Sequence, residues 1–261
     1  GHGHAQPPFR SSRLIGAERQ PTSDCRQSLQ QSRFGAYTMR TEYGVLFGRE
    51  EEALGFRRYN PFLTAPGETS YALPARLGAG WRSIFAHPHD MRFYGRDRIM
   101  PAGGFAELVG EDRFAPPTPG EGRYVTDAAM TDEIVALAAA AQGPTMIYAV
   151  TIENHGPWAS DGTPGGADLV PGYLHLVRKG DAMLADLTRR LGELGKPALL
   201  VFFGDHRPSI PGAAMPGGDR HTPYVMVRLD AAGRAVPGDN RRVDLTPAAL
   251  HRAVLEHTIF V

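Results

Sequence analysis

The chain has 261 residues, 42% of them apolar, which suits one large α/β domain with a sizeable core. Lys+Arg and Asp+Glu number 28 each, so the formal net charge is zero and no whole-molecule field draws the protein to nucleic acid or an anionic membrane. The single cysteine, Cys25, excludes an internal disulfide, and no apolar run approaches the ~18 residues needed to cross a bilayer.

Residues 1–33 are polar, rich in Arg, Gln, Ser and Pro, with weak helical potential over 25–31 and no convincing strand. They read as a poorly anchored arm. The run Tyr43-Gly44-Val45-Leu46-Phe47-Gly48 predicts a short helix, with Tyr43, Leu46 and Phe47 on one face and Gly48 at its end. Residues 49–70 read as loop and 70–77 as helix. A strand over 81–86 runs into His87-Pro88-His89-Asp90, followed by a short helix over 91–100 and a strand over 105–109. After a loop over 110–123, residues 126–142 predict a helix, with Asp127, Asp132 and Glu133 early and Gly143-Pro144 as the stop. A strand over 145–152 runs into Glu153-Asn154-His155.

Past a loop over 159–170, residues 171–195 form a long predicted helix. Its apolar stripe is Val177, Leu184, Leu187, Leu191 and Leu194. The apolar run 198–203, bounded by Pro197 and Gly204, predicts a fully buried strand that stops at Gly204-Asp205-His206. A Gly/Pro-rich loop over 207–221, a strand over 223–229 and a closing helix over 245–259 complete the chain. Alternation of helix and strand predicts an α/β fold with a central, mostly parallel sheet flanked by helices.

Three apolar strands therefore end in polar clusters. In a parallel sheet those clusters meet at one edge, where open α/β sheets place their ligands. Asp205 and His206 offer the oxygen and nitrogen donors that suit a divalent ion. Thr38, just ahead of the predicted short helix, sits where the helix dipole favours an anion. A metal on its hydroxyl would make it a nucleophile at neutral pH. Its plainer reading is a helix N-cap.

These segments carry a resemblance. Thr38-Met39-Arg40-Thr41-Glu42, then Leu46-Phe47-Gly48, resembles the nucleophile segment of the lipoteichoic acid synthase and phosphoglycerol transferase group, in the sulfatase and alkaline phosphatase superfamily. Gly204-Asp205-His206 resembles its metal-binding segment, and Glu153-Asn154-His155-Gly156-Pro157 its Thr-Asn-His-x-Pro segment. His87, Phe93-Tyr94 and Arg96-Asp97 resemble its His-Gly…Phe-Trp-Asn-Arg-Asp segment, and Arg220-His221-Thr222-Pro223-Tyr224 the superfamily's Thr-Pro element. All five stand in the family's order across residues 35–228.

The resemblance implies an alkaline phosphatase/sulfatase-like catalytic domain over 34–261. It implies a divalent ion, Mn²⁺ first with Zn²⁺ or Mg²⁺ as alternatives, held by Thr38, Asp205 and His206. Thr38 would take the phosphoryl group and His155 would stabilise the phosphoryl or leaving oxygen. His87, Tyr94 and Arg96 would bind a phosphoglycerol-like head group, Arg by its bidentate match to phosphate oxygens. The plainer readings are that Arg96 pairs with Asp97 or Asp90 and that Tyr94 packs.

The implied substrate is a phosphorylated lipid or glycan of the cell envelope, at the periplasmic or extracytoplasmic face of the inner membrane. Nucleic acid is not a partner, and membrane contact belongs to segments absent from this chain. A sulfatase nucleophile needs a Cys/Ser-x-Pro-x-Arg context that Thr38 and Cys25 lack, and one cysteine argues against a disulfide-rich phosphoethanolamine transferase. One departure matters: no apolar run ending in Asp or Glu precedes Thr38, although the family has an acidic metal ligand there. The chain therefore lacks that first strand or has lost it, and weak metal binding with slow turnover is expected. The alternative is a non-catalytic domain of this fold that binds envelope glycan or lipid head groups.

Overall fold

The computed structural model describes residues 27–30, 38–64, 66–158, 169–211, 219–238 and 242–259. Most of the expected arm (1–33) and of the expected loop over 159–170, and residues 212–218 of the expected loop over 207–221, lie outside these residues. In order, the elements are β1 (Gln27–Gln30), α1 (Thr38–Phe47), α2 (Pro61–Thr64), α3 (Leu73–Leu77), β2 (Arg82–Ala86), α4 (Arg96–Ala102), β3 (Glu107–Val109) and α5 (Asp127–Ala140). They continue with β4 (Thr145–Ala149), α6 (Leu169–Glu193), β5 (Ala198–Phe203), β6 (His221–Leu229), β7 (Asp244–Leu245) and α7 (Pro247–Ile259).

The parallel sheet expected from the pattern is present as β3-β2-β4. Its central strand β2 is apolar and buried from Ser83 to Ala86, and Ala86 lies opposite both Val109 and Ala149. Both faces of such a strand are covered, so its side chains do not alternate. The second sheet, β5-β6-β1-β7, is mixed: β6 runs antiparallel to β5 and to β1, while β7 is parallel to β1. An antiparallel return needs only a loop, whereas a parallel one needs a crossover, usually a helix. The segment between β5 and β6 is Gly/Pro-rich and carries no helix among its described residues.

β4 and β5, from different sheets, contribute to the same apolar clusters. Ile147 and Ala149 share one apolar cluster with Leu200 and Phe202, while Tyr148 shares another with Val201 and Phe203. Alternate residues of the two strands thus face the same two layers. β5 is half-buried along its length rather than fully buried, and it is the end strand of its sheet, paired with β6 alone among the described strands.

Two further expectations change. Residues 27–30 form a strand inserted between β6 and β7, not a helical stretch of the arm. Gln-Ser-Leu-Gln joins the sheet by backbone bonds, and a polar strand carries no alternation to read. Residues 49–70 are not plain loop: two 3₁₀ stretches, Glu51–Tyr59 and Pro66–Tyr71, flank α2. Pro61 opens α2 at the position where its missing N–H costs nothing.

α1 is buried from Met39 to Phe47, with Tyr43 and Phe47 stacked at 4.4 Å and Phe62 tilted against Tyr43 at 5.8 Å. A helix covered all round shows no one-sided stripe, so its first turn escaped the sequence pattern. In α6 the buried stripe is Met183, Leu187 and Leu191, and Val177 lies 38% exposed on a turn that overshoots the core. Replacing Leu46, which is 0% exposed, with Ala is expected to cost about 2–5 kcal/mol in urea unfolding. Phe56→Ser, at a site 91% exposed, is expected to stay within ~0.5 kcal/mol.

Candidate active site

Thr38 is the first residue of α1, and its Oγ1 donates to Asp205 Oδ2 at 2.6 Å. One turn on, Thr41 Oγ1 donates to the Asp205 backbone carbonyl at 2.7 Å. The N-terminus of α1 is thus stitched to the end of β5 by two hydroxyls. Asp205 Oδ1 accepts the His206 backbone N–H at 2.8 Å, leaving Oδ2 toward Thr38. His206 Nδ1 lies 2.9 Å from the Arg207 carbonyl, so that nitrogen carries the proton and Nε2 the lone pair. That lone pair sits 3.5 Å from Asp205 Oδ2. An imidazole lone pair facing a carboxylate needs a cation or a proton between them.

This arrangement fits half of a divalent-metal shell. Thr38 Oγ1, Asp205 Oδ2 and His206 Nε2 converge, and the carbonyl behind His206 fixes its tautomer as a ligand's partner does. Among the described residues, however, no group of three or more His, Cys, Asp and Glu side chains comes together that could hold a metal.

The residues expected to bind a head group, His87, Tyr94 and Arg96, stand after β2 and at the start of α4. His87 follows β2, is buried at 4% exposure, and donates Nδ1–H to the Val150 carbonyl at 2.8 Å. Burial and the positive charge of Arg96 push its pKa down to about 3, so His87 is neutral and presents Nε2 as an acceptor. From His87 a chain of rings runs outward: His89 at 6.0 Å, Tyr124 6.5 Å from His89, and His155 5.7 Å from Tyr124. Phe93 stands 6.3 Å from His89 and 4.4 Å from Tyr94. His155, exposed at the end of this chain, has Nδ1 2.9 Å from the Gly156 carbonyl and 3.4 Å from Tyr124 Oη, which leaves Nε2 facing out.

Arg96 is not paired with Asp97 or Asp90. Asp90 binds Arg92 at 2.8 Å, and Asp97 lies 4.0 Å from Arg98. Arg96 is 2% exposed and forks onto Glu42 of α1, Nε to Oε1 at 3.2 Å and Nη2 to Oε2 at 2.7 Å. Burial pushes the Glu42 carboxyl up, Arg96 pulls it back, and Asp205 adds a smaller push upward. Burial also presses on Arg96, but Glu42 holds the guanidinium pKa above its ordinary value. The pair joins the Asp205 end of the site to the His87 end. The pairing turns the Arg96 fork toward α1.

The sulfatase family model matches residues 12–254. The chain belongs to the sulfatase family. It is 33% identical over 228 residues to the capsular polysaccharide biosynthesis protein RkpI of Rhizobium meliloti (strain 1021), covering 85% of this chain and 42% of that one. The phosphoglycerol transferase GacH of Streptococcus pyogenes, solved with sn-glycerol-1-phosphate, superposes with a TM-score of 0.71 at 17% identity over 90% of this chain and 66% of its own. The lipoteichoic acid synthase LtaP of Listeria monocytogenes superposes at 0.65, with 16% identity over 89% and 63%. The chain therefore has the alkaline phosphatase/sulfatase fold and spans less than half the length of RkpI.

In this sulfatase-family site, reading the sequence missed Tyr124, which lay at the edge of an expected loop with no local pattern to mark it. The fifth segment also reaches the end of β5: Thr222 Oγ1 donates to the Gly204 carbonyl at 2.6 Å, while His221 is held by Asp219 at 2.7 Å. The sequence also treated Asp127 only as a helix-start acid. Its backbone N–H is capped by Glu153 Oε2 at 2.7 Å, and Lys179 binds the other oxygen of Glu153. The Asp127 side chain is left buried, with Oδ1 lacking a hydrogen-bond partner. Burial and the Glu153 charge push its pKa up to about 7, against a pull from Lys179.

The folded chain therefore keeps a proton on Asp127 that the unfolded chain releases above its ordinary value of 3.8. That contribution to stability is full below 3.8 and is lost as pH rises through about 7. Asp127→Asn removes this loss. Its stability relative to the parent is expected to climb between pH 4 and 7 and level off above, in urea unfolding followed across pH.

Proposed function

We propose that this chain carries the catalytic site of a metal-dependent phosphotransferase or hydrolase. Its substrate would be a phosphoglycerol-type or related phosphodiester of cell-envelope lipids or glycans, attacked by Thr38. The observation that carries this reading is the 2.6 Å bond from Thr38 Oγ1 to Asp205 Oδ2 at the start of α1. That bond brings a hydroxyl and a carboxylate together at the N-terminus of α1, where the helix dipole favours a phosphoryl group. The fold shared with a phosphoglycerol transferase and the kinship with a capsular polysaccharide biosynthesis protein support the substrate class.

A divalent ion, Mn²⁺ by preference, would be held by Thr38, Asp205 and His206; when bound it lowers the hydroxyl's pKa and neutralises phosphoryl charge. The chain's own residues do the rest. Asp205 Oδ2 orients the Thr38 hydroxyl for in-line attack on phosphorus. The Thr38 hydroxyl passes its proton to Asp205 Oδ2 as the Oγ–P bond forms and the bond from phosphorus to the leaving oxygen breaks, and a protonated His155, from its outward Nε2, gives the leaving oxygen a proton. In the second half the neutral imidazole takes a proton from the acceptor hydroxyl or water, which displaces Thr38, and Thr38 recovers its proton from Asp205. His87, neutral, accepts from a head-group hydroxyl rather than pairing with phosphate charge. Tyr94 lines the same end. Residues 34–261 are proposed as the catalytic unit, at the envelope face of the membrane. No helix among the described residues is long and apolar enough to cross a membrane, and membrane contact is assigned to segments outside this chain.

A second reading, a head-group-binding domain with impaired catalysis, is favoured by the lack, among the described residues, of a third His, Cys, Asp or Glu donor beside Asp205 and His206. Both readings are tested together. Wild-type chain with Mn²⁺ should cleave a phosphoglycerol reporter slowly, and calorimetry should show weak Mn²⁺ binding that Asp205→Asn abolishes. Thr38→Ala should lose at least about 100-fold in turnover. Unchanged turnover in Thr38→Ala rules out the nucleophile assignment, and binding of glycerol phosphate without turnover favours the second reading.

A further inference from the structure

The Glu42–Arg96 pair holds more than the fold requires. On α1, Thr38 and Glu42 are one turn apart and so share a face. Thr38 reaches Asp205 at 2.6 Å, and Glu42 reaches Arg96 at 2.7 and 3.2 Å. Arg96 opens α4 directly after two consecutive left-handed residues, Tyr94 at φ 62° and Gly95 at φ 68°. Tyr94 is the one non-glycine with positive φ among the described residues, and a bulky side chain adopts that conformation only when its surroundings force it. The Arg96 guanidinium lies 5.2 Å from the Tyr94 ring and 6.0 Å from Phe85 of the central strand. Tyr94 packs on Phe93, and Phe93 on His89, which neighbours His87.

We infer that Glu42 is a positioning residue: through Arg96 it locks the Tyr94 turn, and with it the His87 end of the site, at a set distance from the nucleophile Thr38. The inference rests on the reading of Thr38 as nucleophile and of the His87 cluster as head-group site. It assigns Arg96 to the support of that cluster rather than to the substrate phosphate. A pair that served only stability would be dispensable, because a buried ion pair can often be replaced by apolar side chains of similar volume without loss. A pair that sets a distance between two ends of a site cannot, since a misplacement of about 1 Å costs on the order of 100-fold in rate.

The test compares wild type with E42M/R96M, which replaces the pair by apolar side chains, and with R96K, which keeps the charge but not the fork. Thermal unfolding checks folding, calorimetry measures Mn²⁺ and glycerol 1-phosphate, and steady-state kinetics on a phosphoglycerol reporter separates kcat from KM. The expected result is a folded double variant with Mn²⁺ affinity unchanged. Its affinity for glycerol 1-phosphate should fall about 10-fold or more, and its kcat/KM about 100-fold. R96K should fold and show a smaller loss of the same kind, and it carries the test alone if E42M/R96M does not fold. Folded variants with wild-type glycerol phosphate affinity and wild-type kcat and KM overturn the inference and leave the proposed function standing. A wild-type chain that neither turns over the reporter nor binds glycerol phosphate overturns the proposed function, and the inference with it.

Discussion

A carboxylate and a guanidinium, each 2% exposed, face one another in a fork between α1 and α4. Removing two charges from water costs several kcal/mol per ion, and only close, well-directed contact offsets it. Such a pair tolerates little sliding. It fixes the axial position of α1 against the start of α4, while the hydroxyls of Thr38, one turn earlier, and of the adjacent Thr41 fix it against the end of β5. A helix held at both ends of one turn behaves as a rigid bar between two halves of the site.

The packing around that bar serves the same constraint. Tyr43, Leu46 and Phe47 bury its far face against Phe62 and Met100. α7 approaches so closely that a Cβ at Gly44 would lie 2.6 Å from Pro247 Cβ. At the exit Gly48 turns with φ +62°, and a side chain there would meet the His251 ring at 2.7 Å. His251 is itself buried and bonds the Val45 carbonyl at 2.9 Å, closing the end of α1. The polar face of α1 is thus committed to the site, and its apolar face to immobility.

Three histidines at strand ends behave differently because their surroundings differ. Burial and a nearby guanidinium hold His87 neutral. His206 is oriented by a carbonyl toward a carboxylate. His155 is exposed, with its free nitrogen outward beside Tyr124. The same side chain serves as acceptor, candidate ligand and candidate proton carrier, and burial and hydrogen bonding separate the roles.

The strands that end at the candidate site were legible because their signal is local: an apolar run that stops at a polar cluster marks β2, β4 and β5 and the residues His87, His155, Asp205 and His206. The long helices α5 and α6 were legible for the same reason, through caps and periodicity. β1 was not, since a polar four-residue strand is held by backbone bonds to residues far along the chain. Nor were Tyr124 and the raised pKa of Asp127, which depend on what surrounds them.

The sequence by itself determined which residue types stand at the strand ends, in what order, and that a hydroxyl opens the helix before them. Only the tertiary structure decided the partners. Thr38 meets Asp205 across 167 residues, and Arg96 turns inward to Glu42 across 54 rather than to the acids beside it. Those choices rest on burial and three-dimensional reach, which no local pattern records.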